Sequence, residues 1–110
     1  MTNNIKIFGL LLLILTGQFA YGQNNKEKAL EKGIAAIKLM DNGKISESIK
    51  LLEEAQKLDP ERFDYPYEIA YAHYLKEDYK GAIKILEQNI EHKDVTERLF
   101  QLLGNSYDII

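Results

Sequence analysis

The sequence contains no cysteine and no tryptophan, and only two of its 110 residues are proline. The absence of cysteine excludes disulfide bonds and a lipid-modified cysteine terminus, so an oxidising compartment is permitted but not exploited. Basic residues are also few, with 14 lysines and arginines against 17 acidic residues and a net charge of −3. Lysine and glutamate alternate without forming a basic face that could neutralise phosphates, so we expect no nucleic-acid partner.

Motifs for catalysis are missing as well. The sequence has no glycine-rich phosphate loop, no nucleophile paired with a base and no metal-site spacing. His73 and Glu77 stand four residues apart, but no third metal ligand is near in sequence, so we interpret His73 as a packed, hydrogen-bonded core residue. His92 falls at a predicted helix end, where a cation interacts favourably with the helix dipole. We therefore expect a protein that is not an enzyme and that needs no cofactor.

Residues 1–22 have the order of a secretory signal peptide: a polar start with one lysine, an apolar run, and small residues before a cut. Ala20 and Gly22 would precede cleavage before Gln23. A membrane anchor needs about 20 apolar residues, and this run is roughly half as long. We predict cleavage and export to the periplasm, with membrane contact only through the transient signal peptide. An uncleaved anchor helix is the alternative.

Apolar residues recur at three- and four-residue steps through the rest of the chain, which predicts amphipathic helices. The predicted helices cover residues 26–40, 45–58, 65–76, 79–91 and 97–110. Their predicted N-caps are Asn24 or Asn25, Ser46, Asp64 and Thr96. Asn42-Gly43 and Asp59-Pro60 are typical of helix ends. The fold class expected from this pattern is all-α.

Two segments of the chain are near copies, because IKLLEE at 49–54 returns as IKILEQ at 83–88. We call the separation from position 49 to position 83 the repeat interval. Small residues recur at this interval: Ala36, Ala70 and Gly104 in one helix of the period, Ser48 and Ala82 in the other. Leu52 and Leu86 follow four residues after the second pair. Small side chains let two helices approach closely, and the leucines fill the space that remains between them. Self-similarity of this kind is typical of a helical repeat.

This pattern resembles the tetratricopeptide repeat (TPR), with Phe100 where the family usually has tryptophan and with Leu58-Asp59-Pro60 closing a repeat. The resemblance covers residues 23–110 and implies a right-handed α-solenoid of antiparallel helix pairs. The repeats would cover about 29–62 and 63–96, with the first helix of a third repeat at 97–110. Since its partner helix is missing, we expect a fragment of a longer protein, and self-association through the C-terminal helix is an alternative.

The resemblance implies a concave face that binds an extended peptide or a partner's helix. Tyr67, Tyr71 and Tyr74 would form an aromatic stripe there, with Tyr74 the most buried, and tyrosine suits contact surfaces. Gln101 and Asn105 would hydrogen-bond a peptide backbone. The alternatives are that the tyrosines pack between helices and that the two amides are simply solvated.

One subset of the family grips a terminal carboxylate with lysine, asparagine and arginine on this face, and that clamp is absent here. The matching places hold Leu30, Gly33 and Ile37, then Asp64, Tyr67 and Tyr71. The sequence therefore predicts a non-catalytic protein-protein interaction scaffold of TPR type without chaperone-tail binding. The alternative is the N-terminal fragment of a larger periplasmic sensor or enzyme, in which the repeats present a downstream domain.

Overall fold

The structure is a computed structural model that describes the backbone of residues 2–110 and the side chains from Gly22 onward. It contains the helices α1 (Thr2–Asp41), α2 (Ile45–Leu58), α3 (Asp64–Leu75), α4 (Tyr79–Gln88) and α5 (Glu97–Ile109). No strand is present in residues 2–110, so the prediction of an all-α protein is confirmed. The predicted signal peptide, apart from Gly22, lies outside the residues whose side chains are described.

The turns after α1 and α3 are built alike and lie one repeat interval apart. After α1, the Gly43 N–H donates to the Met40 carbonyl at 3.0 Å and the Lys44 N–H to the Leu39 carbonyl at 2.8 Å. The turn after α3 repeats this pair of bonds at the equivalent residues. The pattern is the Schellman motif, which needs a left-handed residue after the helix. Gly43 and Glu77 hold that position, with φ of 79° and 65°.

Several predicted caps are wrong. The α1 helix runs through Asn24 and Asn25, where neither proline nor a turn interrupts it. Ser46 lies inside α2, because the Lys44 carbonyl already accepts the first helical bond from Ser48 at 3.1 Å. Asp64 is the first residue of α3, and its carboxylate accepts instead from Arg62 Nε at 2.6 Å.

The start of α5 and the end of α4 also differ in detail from the prediction. Thr96 is the N-cap of α5 as predicted, although its side chain makes no capping hydrogen bond. The α4 helix ends at Gln88, earlier than predicted. Its C-cap, Asn89, donates from Nδ2 to the Ile85 carbonyl at 2.8 Å, so a side chain satisfies a carbonyl that the helix would otherwise bond.

Two clusters of buried side chains form much of the core, and four pairs of their residues are separated by the repeat interval. Leu52 and Leu86, exposed by 1% and 0%, lie one in each cluster. The other equivalent pairs, each separated by the repeat interval, are Ala29 and Phe63, Ala36 and Ala70, and Tyr65 and Leu99. Each helix packs against the next one in the chain, and α3 also contacts α5. The interval found in the sequence therefore recurs in the packing.

Candidate partner-binding surface

The three tyrosines of the predicted stripe have different environments. Tyr67 and Tyr74 are half-buried and pack against the second core cluster, while Tyr71 is exposed. The rings of Tyr71 and Tyr74 are nearly parallel, with centroids 6.4 Å apart. Tyr74 also meets Tyr79 edge-on at 5.3 Å. Part of the stripe therefore supports the core, and Tyr71 is the most exposed of the three tyrosines.

Arg98 joins the α3 and α5 parts of the predicted surface. Its guanidinium lies 4.9 Å from the centre of the Tyr67 ring, which is a cation–π distance. Burial raises the pKa of Tyr67, and the nearby Arg98 opposes that shift. Gln101 and Asn105 are exposed and follow Arg98 at helical spacing, so they extend the same side of α5. The predicted site residues thus lie on neighbouring helices.

A groove of about 160 Å³ lies between α1 and α3, and we call it the α1–α3 groove. Its α1 wall is aliphatic, formed by Leu30, Ile34 and Ile37. Leu30 and Ile34 are 42% and 52% exposed, so the wall is accessible. Sequence reasoning placed Leu30 and Ile37 on the inner face but missed Ile34.

Gly33 and Tyr65 form the base of the α1–α3 groove. A Cβ atom on Gly33 would lie 2.9 Å from Cε1 of Tyr65, so a larger residue there would push the buried ring away. The Tyr65 hydroxyl is buried and has no hydrogen-bond partner among the described residues. Arg62 lies over the Tyr65 ring at 5.9 Å and is paired with Asp64. The base is therefore tightly packed, and its charged edge is largely neutralised.

Glu68 on α3 also lines this groove, and sequence reasoning missed it. The side chain is half-buried, and burial raises the pKa of its carboxyl group. Arg98 opposes that shift and Asp64 reinforces it. The signal that could have identified Glu68 is its place in the repeat, since the residues one repeat interval before and after it are Ile34 and Leu102.

The two histidines make structural hydrogen bonds. His73 Nδ1 lies 2.9 Å from Asp78 Oδ2, so His73 is hydrogen-bonded as predicted, although it is only half-buried. His92 lies beyond the end of α4, and its Nε2 is 2.9 Å from the Glu61 carbonyl oxygen. The predicted role of His92 at a helix end is therefore wrong. No group of three potential metal-ligating side chains occurs in the part of the chain that the structure describes.

No protein-family model matches the chain, and no curated protein matches it significantly. Within the described residues, none of the helices combines the length and apolar character that crossing a membrane requires.

Proposed function

We propose that residues 23–110 are a right-handed TPR-like solenoid of antiparallel helix pairs that acts as a non-catalytic protein-binding scaffold. The recurrence of one core and one turn at the repeat interval supports this proposal. In such arrays each helix pair covers the apolar face that its neighbour leaves open. A concave face then lies along α1, α3 and α5, and a peptide or a partner's helix binds there.

The composition of this face favours protein binding over simple solvation. Tyr71 is exposed beside Tyr74, and the aliphatic wall of Leu30 and Ile34 is open to solvent. Large accessible aromatic and aliphatic side chains supply binding energy when a partner covers them. Gln101 and Asn105 add side-chain amides that hydrogen-bond a peptide backbone.

Affinity capture with the immobilised protein, followed by calorimetric titration of each captured protein, tests this function. Replacing Tyr67 and Tyr71 with alanine is expected to weaken binding while helix content by circular dichroism stays unchanged. Gln88→Ala, on the exposed surface of α4, is the matched control and leaves affinity intact. Equal affinity of the folded double variant and the original protein would reject the site.

We also propose export to the periplasm, which the order of residues 1–22 supports. Expression in a bacterial host followed by osmotic release should yield a product that begins at Gln23. N-terminal sequencing measures this directly. A full-length product that stays with the membrane fraction would favour the anchor instead.

A second candidate function is self-association through α5. Phe100 and Tyr107 are each 48% exposed, whereas Pro66, at the position of α3 equivalent to Phe100, is buried. The part of α3 that is buried at Pro66 is therefore exposed at the equivalent position of α5. A second copy of the chain would cover this exposed surface of α5. In the alternative of a larger periplasmic sensor or enzyme, the same surface would instead receive a downstream segment.

A further inference from the structure

Glu68 breaks the apolar pattern of its own repeat position. The equivalent residue of α1 is Ile34, and that of α5 is Leu102, which is buried in the second core cluster. Partial burial disfavours the charged form of a carboxyl group, and here it raises the pKa of Glu68. An aliphatic residue would therefore pack better at this position. A residue that opposes the local pattern without a packing benefit is typical of a functional site.

The charges around the α1–α3 groove leave Glu68 without an ion-pair partner in the described part of the chain. Arg62 is committed to Asp64, with Nε 2.6 Å from Oδ2. Arg98 of α5 approaches closely enough to oppose the pKa shift of Glu68, but its guanidinium lies over the ring of Tyr67. The α1 wall contributes only aliphatic side chains to the groove. One carboxylate without an ion pair in the described residues therefore lies beside an accessible apolar wall.

We propose that the α1–α3 groove binds a partner-protein segment in which a lysine or arginine adjoins an aliphatic side chain. The aliphatic side chain lies against Leu30 and Ile34, and the cation pairs with Glu68. A cavity of about 150 Å³ holds a benzene-sized group, so a groove of about 160 Å³ accommodates one such side chain. Charge-assisted hydrogen bonds at a partly desolvated carboxylate then give selectivity for the cation. This inference rests on the proposed function, because it specifies the partner's chemistry on the same concave face.

Nuclear magnetic resonance titration of the ¹⁵N-labelled protein with capped hexapeptides tests the inference. The probes have the sequence glycine-serine-leucine-X-glycine-serine, where X is lysine, glutamine or glutamate. The lysine peptide is expected to bind about fivefold more tightly than the glutamine peptide, the range of one favourable ion pair. Amide shifts should centre on Leu30, Ile34 and Glu68. The glutamate peptide should bind most weakly.

Two variants with the same change in net charge separate a local effect of Glu68 on the peptide preference from a general effect of the protein's charge. Glu68→Gln should remove the preference for lysine over glutamine, while Glu53→Gln, which changes an exposed residue of α2, should keep it. Equal loss in both variants would overturn the inference, because long-range charge would then explain the preference. Equal binding of the lysine and glutamine peptides in the groove would also overturn it, yet would leave the proposed binding function standing. If no probe shifts the groove residues, this inference fails while the captured-partner titration still tests the function.

Discussion

His73 and Asp78 connect the end of α3 to the start of α4, with Nδ1 of the histidine 2.9 Å from Oδ2 of the aspartate. The other carboxylate oxygen, Oδ1, accepts from the Gly81 N–H at 3.0 Å and so caps α4. A Cβ atom at position 81 would collide with this carboxylate, which explains the glycine there. One side chain therefore both starts a helix and joins it to the preceding one.

Asp78→Ala is expected to reduce the free energy of unfolding by about 0.5–2 kcal/mol, the usual cost of a lost N-cap. Urea unfolding measures it, with Asp108→Ala as a control at an exposed position. The Gly81 hydrogen bond, followed by that of His73, lowers the pKa of Asp78. The contribution of the ionised Asp78 to the free energy of unfolding is therefore fully present above the ordinary pKa of aspartate. It is lost as the pH falls through the lowered pKa of the folded state. Equal stability of Asp78→Ala and the original protein would contradict the capping role.

Substitutions at the equivalent turn residues Gly43 and Glu77 should change the stability of the protein in opposite directions. Glu77 has a left-handed backbone, which costs a residue with a Cβ about 1–2 kcal/mol. Glu77→Gly relieves this strain and should stabilise the protein by up to about 1 kcal/mol after the added entropy of the unfolded chain. Gly43→Ala introduces the same strain and should destabilise it. Shifts of the same sign in thermal unfolding would contradict this equivalence.

Ser48→Ala should stabilise the protein by about 1–2 kcal/mol, because alanine removes an unsatisfied group and has the higher helix propensity. The Ser48 hydroxyl is buried without a hydrogen-bond partner among the described residues, and the equivalent residue of α4 is Ala82, which is also fully buried. Thermal unfolding measures the gain. Ser106→Ala is the matched control, because the buried Ser106 hydroxyl donates to the Leu102 carbonyl at 2.7 Å. A gain from Ser106→Ala as large as that from Ser48→Ala would refute the explanation.

Leu52→Ala and Leu86→Ala should each cost about 2–5 kcal/mol, because each leaves a cavity in one core cluster. Leu30→Ala changes an exposed leucine and should cost much less. Denaturant unfolding followed by circular dichroism compares the three variants. If only one of the two core variants is strongly destabilised, the two clusters are not equivalent.

Self-association through α5 should be visible by light scattering over a dilution series. The mass of the original protein should rise with concentration, and Phe100→Ser combined with Tyr107→Ser should keep it monomeric. Leu75→Ser removes a comparably exposed apolar residue from α3 and should not change the association. A monomer at every concentration would exclude this candidate.

The helices and the core positions were predictable because the repeat interval fixes both at once. Leu52 and Leu86 occupy equivalent buried positions, as the small-to-large spacing indicated. The caps were less predictable. The backbone hydrogen bonds of the turn at Gly43 determine where α2 begins, and they make Lys44 the N-cap instead of Ser46. A serine or aspartate near a helix start is consistent with several neighbouring caps.

The candidate site was predictable only in part. Tyr71 is exposed as a contact residue should be, whereas Tyr67 and Tyr74 also serve the core, a division that periodicity alone does not define. Glu68 was missed because one glutamate in an amphipathic helix resembles a surface residue. Its distinction emerges only when its half-buried environment is compared with the apolar residues at the equivalent positions.

The matching turns and clusters have a consequence for how the chain can change in length. Tyr65 packs into the cluster of Leu52, and the equivalent Leu99 packs into the cluster of Leu86. The contact between residues 63–96 and the helix after them therefore resembles the contact between residues 63–96 and the helices before them. A tandem duplication of that whole block would create no foreign interface. Growth by one such block should therefore preserve folding, while an insertion within a helix that is not a whole number of blocks should disrupt it.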